Sequence, residues 1–459
     1  MLRLSRWVHC FERADIMAFW DPLLFNLVFV SKDLGTKIKT NATKPILETD
    51  LVFCVGKESV SVLKDQGFLV EDIHNDWEQF CELRERLLDK STLELLYLLV
   101  TDDCNMRCSY CFEDSPVLVT PCRNVTMSFA IAKRAVDLFA DLNSRYGDPQ
   151  KNKTIHFYGG EPLLNKRIIE FTVKYIQDLI HRNVLSEFCQ MAIVTNGLLM
   201  DEHIAHFLAD NKVTVGLSLD GPENINNFYR LAKKQEINAF KKTMRALSIL
   251  QSCGAQIGLS VTLTPLAVDH FDELIDFLLN QVGKIDGLSL NLLHFNRNVI
   301  PPHDYYERAA RCQLIAFELF RKAGIYEERV MRKAKAFIKQ QPMLGDCGAL
   351  GNQLIIAPDG KIGVCQDFVK PRTYFYGNVL NKDIDPIADG LFKDWRQRSP
   401  FYMENCFNCP AIGICGGGCP ASAELKTGSR WNIDERICHH SNFTLEWLIW
   451  ETYSHVSLA

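Results

Sequence analysis

Three cysteines within eight residues, Cys104, Cys108 and Cys111, have C-x3-C-x2-C spacing and follow the apolar run Leu95–Thr101. Thiolates this close can ligate three irons of a cubane cluster. The fourth iron then stays open, as a catalytic metal site keeps a position free of protein ligands. The competing reading is structural zinc, which takes four protein ligands, often in C-x2-4-C pairs. A second group comprises Cys347, Cys365, Cys406, Cys409, Cys415, Cys419 and Cys438. Its run from Cys406 to Cys419 reads C-x2-C-x5-C-x3-C, with Gly416-Gly417-Gly418 in the last gap. A zinc ribbon explains a C-x2-C pair, yet seven ligands divide poorly into fours. They suit two iron–sulfur clusters, one of them short of a fourth cysteine. The other cysteines of the total of 17 are Cys10, Cys54, Cys81, Cys122, Cys189, Cys253 and Cys312. They are scattered and read as small buried apolar side chains.

The elements that must position these groups follow from periodicity. Between Leu93 and His294, strand signals at Leu95–Thr101, Thr154–Tyr158, Met191–Thr195, Val213–Leu219, Ile257–Thr264 and Leu288–His294 alternate with helical ones. The helical runs are Ser128–Leu142, Lys166–His181, Asp201–Asp210, Asn238–Cys253 and Phe271–Val282. Such alternation indicates parallel strands with crossover helices, either a partial or full β/α barrel or an open doubly wound sheet. In a barrel the functional residues lie at the C-terminal strand ends. Residues 1–92 read as a small α+β module, with strand-like runs at Leu23–Val30 and Leu51–Val55. A short helix is predicted over Ser59–Leu69 and a longer one over Asp76–Leu88. Residues 303–346 read as a helical linker and 347–459 as a glycine- and cysteine-rich domain.

The first cysteine loop, with Tyr110 before its third cysteine, resembles the cluster loop of radical S-adenosylmethionine (radical SAM) enzymes. Later signatures of that family occur in order at successive strand ends. Tyr158-Gly159-Gly160-Glu161-Pro162 is similar to its GGEP motif, Thr195-Asn196-Gly197 follows the third strand, and Ser218-Leu219-Asp220-Gly221-Pro222 with Arg230 follows the fourth. The resemblance implies a partial (β/α)6 TIM-like barrel in which Cys104, Cys108 and Cys111 hold a 4Fe–4S cluster that chelates SAM. It further implies cofactor contacts from Tyr110, Gly159, Gly160, Glu161, Pro162, Thr195, Asn196, Ser218, Asp220 and Arg230. Ser218 and Arg230 would hold the SAM carboxylate, and Glu161 would accept from its ammonium. Glycine at a strand end lets backbone approach a ligand. Reduction then cleaves SAM to a 5′-deoxyadenosyl radical that removes hydrogen from substrate. The seven later cysteines resemble the SPASM domain of radical SAM maturases. That resemblance implies two auxiliary clusters, Cys347, Cys365 and Cys419 on one, Cys406, Cys409, Cys415 and Cys438 on the other.

Within the family, the long N-terminal region, with Phe25–Val30 and Lys64–Val70, looks similar to that of ribosomal-peptide maturases. There a winged-helix-like module holds a leader peptide by strand addition. The implied substrate is a precursor peptide that receives a crosslink or related change. The alternative is anaerobic sulfatase maturation to formylglycine. Sulfatase maturases place a base Asp directly after the cysteine equivalent to Cys365, whereas here Gln366 intervenes and Asp367 is the candidate proton acceptor. A reading of another class is a non-catalytic iron–sulfur electron carrier or scaffold, to which an open iron would be of no use. The resemblance implies a low-potential flavodoxin or ferredoxin as reductant.

Length and composition agree with this. The 459 residues suit about three domains. The formal charge, 51 − 56 = −5, argues against a nucleic-acid partner held by phosphate contacts. The most apolar stretch, Ile16–Val30, is broken by Asp21, Pro22 and Asn26, so no membrane span is expected, and the residues up to Asp15 have no clean apolar core or small-residue cleavage site, so no signal peptide is expected. Clustered cysteines in a long chain point to a reducing compartment, the cytoplasm.

Overall fold

The computed structural model describes residues 1–88, 93–111, 125–148, 151–295 and 298–456; Cys122 lies outside them. The N-terminal region runs β1 (Leu2–Leu4), β2 (His9–Arg13), β3 (Ile16–Asp21), β4 (Asn26–Ser31), α1 (Lys32–Ala42), α2 (Glu48–Val55), α3 (Lys57–Asp65), β5 (Leu69–Glu71) and α4 (Asp76–Leu88). The apolar stretch from Ile16 is a hairpin, because Asp21 Oδ1 accepts from the amides of Leu23 (2.8 Å) and Leu24 (3.0 Å) and turns the chain. The register Ile16↔Ser31 follows. Strand β3 is buried on both faces. Met17 and Phe19 pack among Ile38, Leu51, Val60 and Leu63 of its own helices. Ala18 and Trp20 point the other way, toward Leu445, Leu448 and Trp450 near the C-terminus.

The strand expected at Leu51–Val55 is instead the end of helix α2. Leu51 and Val55 are buried four residues apart, while Phe53 between them is 92% exposed. A strand would put all three on one face; a helix separates them.

The barrel region comprises β6 (Leu95–Leu99), β7 (Met106–Cys108), α5 (Phe129–Tyr146), β8 (Lys153–Tyr158), α6 (Lys166–His181), β9 (Cys189–Thr195), α7 (Glu202–Asp210) and β10 (Val213–Ser218). It continues through α8 (Glu223–Tyr229), β11 (Arg230–Ala232), α9 (Ala239–Ser252), β12 (Ile257–Leu263), α10 (Pro265–Asp269), α11 (Phe271–Asn280) and β13 (Gly287–Leu292). The sheet order β13-β12-β10-β9-β8-β6 places the six repeat strands side by side and parallel. The ends of the sheet do not pair with each other among the described residues, consistent with a partial barrel. Along β8, Ile155 and Phe157 enter the helix-covered core, while His156 and Tyr158 face the interior. On β10 and β12 the interior positions are Gly216, Ser218, Gly258 and Ser260. A closed barrel fills this space with large side chains. Small residues here leave a cavity.

The C-terminal region has α12 (Tyr305–Lys322), α13 (Glu328–Lys339), β14 (Gln353–Ile356), β15 (Ile362–Gly363), β16 (Phe375–Tyr376), α14 (Gly390–Arg396), α15 (Ile412–Cys415), α16 (Pro420–Thr427) and α17 (Glu435–Val456). Strand β14 pairs parallel with β6 and joins this region to the barrel sheet. Its four residues are all buried, so it carries no alternation to read in the sequence. Among the described residues no helix is long and apolar enough to cross a membrane.

Candidate functional site

A cavity of about 1010 Å³ lies at the C-terminal ends of the parallel strands and reaches the start of the C-terminal region. Its wall includes Cys104, Cys108, Tyr110 and Cys111 from the first cysteine loop. Gly159, Gly160, Glu161, Thr195, Asn196, Ser218 and Arg230 line it from the later strand ends, and Cys347 and Asp367 from the C-terminal region. Pro162 and Asp220 are not on this wall. Pro162 is buried at the start of a 3-10 turn, and Asp220 lies behind Tyr110.

Short strand pairing builds the first cysteine loop. Strand β7 pairs antiparallel with β11, which sets Arg230 opposite Cys108. Arg230 Nη1 donates to the Tyr110 hydroxyl at 2.8 Å, and that hydroxyl donates to Asp220 Oδ2. Asp220 Oδ1 accepts from the Thr262 amide at 2.9 Å, so one chain of bonds joins the loop to the fourth and fifth strands. Burial pushes the pKa of both Tyr110 and Asp220 up, which keeps the phenol protonated as a donor. Asn226 Oδ1 accepts from the Asp220 amide at 3.2 Å and steadies the same turn.

The two glycines serve packing between strand ends. An added Cβ at Gly159 would meet the Thr101 carbonyl at 2.4 Å, and one at Gly160 the Asp103 carbonyl at 2.2 Å. The Gly160 amide donates to Thr101 O at 3.1 Å and the Glu161 amide to Asp103 O at 2.9 Å. The close approach is thus to the cysteine loop's own backbone. Glu161 is buried and receives three protein donors: Thr195 Oγ1 (2.6 Å), the Asn196 amide (2.8 Å) and the Leu163 amide (3.0 Å). A carboxylate has about four acceptor sites, so Glu161 mainly ties the second strand end to the third. Asn196 Nδ2 in turn lies 3.9 Å from Cys104 Sγ.

The later cysteines fall into two groups. Cys365 is within electrostatic range of Cys419 and Cys347. Cys438 is within range of Cys415, Cys406 and Cys409. Burial, with the neighbouring Cys415 and Cys409, pushes the Cys406 thiol up to about 12. Thiols that oppose one another's ionisation become a thiolate set when a cation is present, so this donor set fits a metal cluster. The second group does not line the cavity. The glycine run shapes the first group's surroundings. Gly416, Gly417 and Gly418 have φ of 73°, 76° and 73°, in the left-handed region that favours glycine. The fully buried Arg398 donates to the carbonyls of Gly417, Arg430 and Asn432.

Asp367 sits on a 3-10 turn with its carboxylate on the cavity, and its Oδ2 is 3.5 Å from His294 Nδ1. The sequence reading missed His294 as a site residue. The signal was its place at the end of the sixth strand run, where barrel chemistry sits.

Comparisons with known proteins agree with this geometry. The Radical SAM superfamily model matches residues 98–278, and the SPASM model, an iron–sulfur cluster-binding domain, matches residues 347–410. The radical SAM cyclopropyl synthase TigE of Paramaledivibacter caminithermalis is 24% identical over 393 residues, which is 82% of this chain and 78% of that protein. A cysteine-type anaerobic sulfatase-maturating enzyme of Clostridium perfringens is 25% identical over 351 residues, 73% of this chain and 91% of that protein. Among solved structures, anSMEcpe with bound AdoMet and a peptide has a TM-score of 0.65 at 19% identity, covering 80% of this chain and 99% of that chain. Streptococcus suis SuiB bound to S-adenosylmethionine has a TM-score of 0.56 at 16% identity, covering 95% of this chain and 99% of that chain.

Proposed function

The chain is a radical SAM enzyme with a C-terminal SPASM domain, its cofactors are SAM and iron–sulfur clusters, and we propose that it matures a ribosomally made precursor peptide. The observation that carries this is the shared cavity, walled on one side by the first cysteine loop and on the other by Cys347 and Asp367. Its volume of about 1010 Å³ gives room for a peptide segment beside a bound cofactor.

In this reading three clusters are present: a SAM-binding 4Fe–4S cluster on Cys104, Cys108 and Cys111, and two auxiliary clusters on the groups around Cys365 and Cys438. With SAM bound and an electron supplied, this cofactor provides a 5′-deoxyadenosyl radical that removes a hydrogen atom from the substrate. The protein's own residues hold and orient. Ser218 and the remaining donors of Arg230 would hold the SAM carboxylate. Tyr110 and Asp220 fix Arg230, and Glu161 with Thr195 and Asn196 fixes the strand ends. Asp367 would take the proton lost by the substrate radical, and the auxiliary clusters would supply the acceptor for its electron.

The likeness to SuiB spans 95% of this chain, against 80% for anSMEcpe, and SuiB has been solved bound to its precursor peptide SuiA. These favour the peptide reading. Residues 1–92 form the leader-binding module, and an edge strand of the β2-β3-β4 sheet, unpaired on one side among the described residues, offers backbone for strand addition. The protein works in the cytoplasm and draws electrons from a low-potential flavodoxin or ferredoxin. The second reading, sulfatase maturation, is favoured by the C. perfringens relative.

Anaerobic reconstitution should give about twelve irons per chain, the content of three cubanes. The enzyme should form 5′-deoxyadenosine and change the mass of a precursor peptide. Formylglycine in a sulfatase-derived peptide, with no change in any precursor, would replace this reading with the second. Asp367→Asn should still cleave SAM while losing product; unchanged product removes its role as proton acceptor.

A further inference from the structure

We propose that His294 is the fourth protein ligand of the first auxiliary cluster, beside Cys347, Cys365 and Cys419, with Asp367 holding its ring. This rests on the reading of those three cysteines as cluster ligands. Among the described residues the set lacks a fourth thiol, because Cys406, Cys409 and Cys415 gather around Cys438 instead. A ring nitrogen of His294, the Cys419 sulfur and an Asp367 oxygen all lie within 4.8 Å of one another.

The fold brings His294 to Cys419 from both flanks. The Cys419 amide donates to Asp434 Oδ2 at 2.9 Å. Asp434 pairs with the buried Arg436 at 2.7 Å, and Arg436 Nη1 donates to the Leu292 carbonyl at 3.0 Å, just before His294 in the chain. On the other flank the Phe295 amide donates to Ser422 Oγ at 3.3 Å, on the helix that starts after Cys419. Asp367 reaches the same point because its turn begins directly after Cys365.

The chemistry suits the geometry. Neutral imidazole ligates iron in Rieske clusters. A metal-bound histidine commonly donates its other ring N–H to a carboxylate, which fixes the ring. Asp367 Oδ2, 3.5 Å from Nδ1, stands where such a carboxylate belongs. Its second oxygen keeps acceptor sites for a proton. A cluster closed in this way has no open iron for substrate. Its role is electron transfer at a potential above that of an all-thiolate cluster.

The test is pulsed EPR on the reduced holoenzyme, prepared without SAM in imidazole-free buffer, with ordinary and with 15N-labelled histidine. The expected result is a nitrogen coupling that changes isotope with the histidine. His294→Cys should keep the iron content, lose that coupling and show a lower midpoint potential. Absence of histidine nitrogen coupling in the wild-type protein overturns the assignment without recourse to any variant. Its survival in His294→Cys overturns it equally. SAM cleavage is scored separately: iron-loaded protein that fails to cleave SAM refutes the proposed function while the nitrogen coupling still reports the ligand.

Discussion

Gly160→Ala isolates the packing of the first cysteine loop from any cofactor contact. Gly160 is absent from the positive-φ residues, so alanine meets no backbone strain there and its effect comes from contact alone. The added Cβ would stand 2.2 Å from Asp103 O, 2.5 Å from Asp103 C and 3.1 Å from Cys104 N. All three atoms are backbone, so no side chain can swing away. Reaching even 3.0 Å from the carbonyl oxygen requires a shift of 3.0 − 2.2 = 0.8 Å. The shift would be taken where the Gly160 and Glu161 amides bond to Thr101 and Asp103. Overpacking of this kind costs about 1–3 kcal/mol. A displacement near 1 Å at a reacting centre lowers rate by about 100-fold. The expected variant is folded, loses about four of about twelve irons, and cleaves SAM about 100-fold more slowly. Iron analysis and 5′-deoxyadenosine assay under anaerobic conditions read both. Gly390→Ala, where no atom lies within 4 Å of an added Cβ, is the control and should change neither. Full iron and an unchanged rate in Gly160→Ala would refute the claim that this glycine seats the cysteine loop.

Three further substitutions test the frame around the site. Burial pushes the Glu327 carboxyl from 4.5 up to about 7, despite its bonds to the amides of Val330, Arg329 and Leu290; at about 1.4 kcal/mol per pKa unit this is worth about 3 kcal/mol. The unfolded chain ionises first, so this group's stability is present below pH 4.5 and lost as pH rises through about 7. Glu327→Gln should therefore gain stability relative to wild type between pH 5 and pH 8 in denaturant unfolding, and an equal difference at both pH values removes the claim. Arg372 Nη2 and Asp102 Oδ2 form a buried pair at 3.0 Å that joins the C-terminal region to the residues before Cys104; Arg372→Met should destabilise by about 3–5 kcal/mol and loosen iron on the first loop, read by iron release during chelator challenge. Trp20 stacks on Phe337 at 5.1 Å and its indole donates to Pro410 O at 2.9 Å; Trp20→Ala should cost about 3–5 kcal/mol, and limited proteolysis should then cut first in the N-terminal region.

The sequence by itself determined the cofactor chemistry and the repeat. Cysteine spacing is local, and thiolate ligation depends on few neighbours, so both cysteine groups could be read without coordinates. The βα alternation was legible for the same reason: runs such as Lys166–His181 carry a helical period along their whole length, and the helix has those bounds. Short elements were not legible. Leu51–Val55 has too few residues to separate a strand from a helix end, and β14 is buried throughout, so neither shows a period. Tertiary structure alone decided which groups meet. Gly160 faces the backbone of Asp103, and Glu161 is largely engaged by Thr195, Asn196 and Leu163, because parallel strands separated in sequence end side by side. His294 stands beside Cys419 because hydrogen bonds through Arg436 and Ser422 draw their two segments together, and the turn after Cys365 adds Asp367. Local propensity carries no record of such contacts, which is why the sequence singled out the clustered cysteines and only the fold brought an imidazole beside one of them.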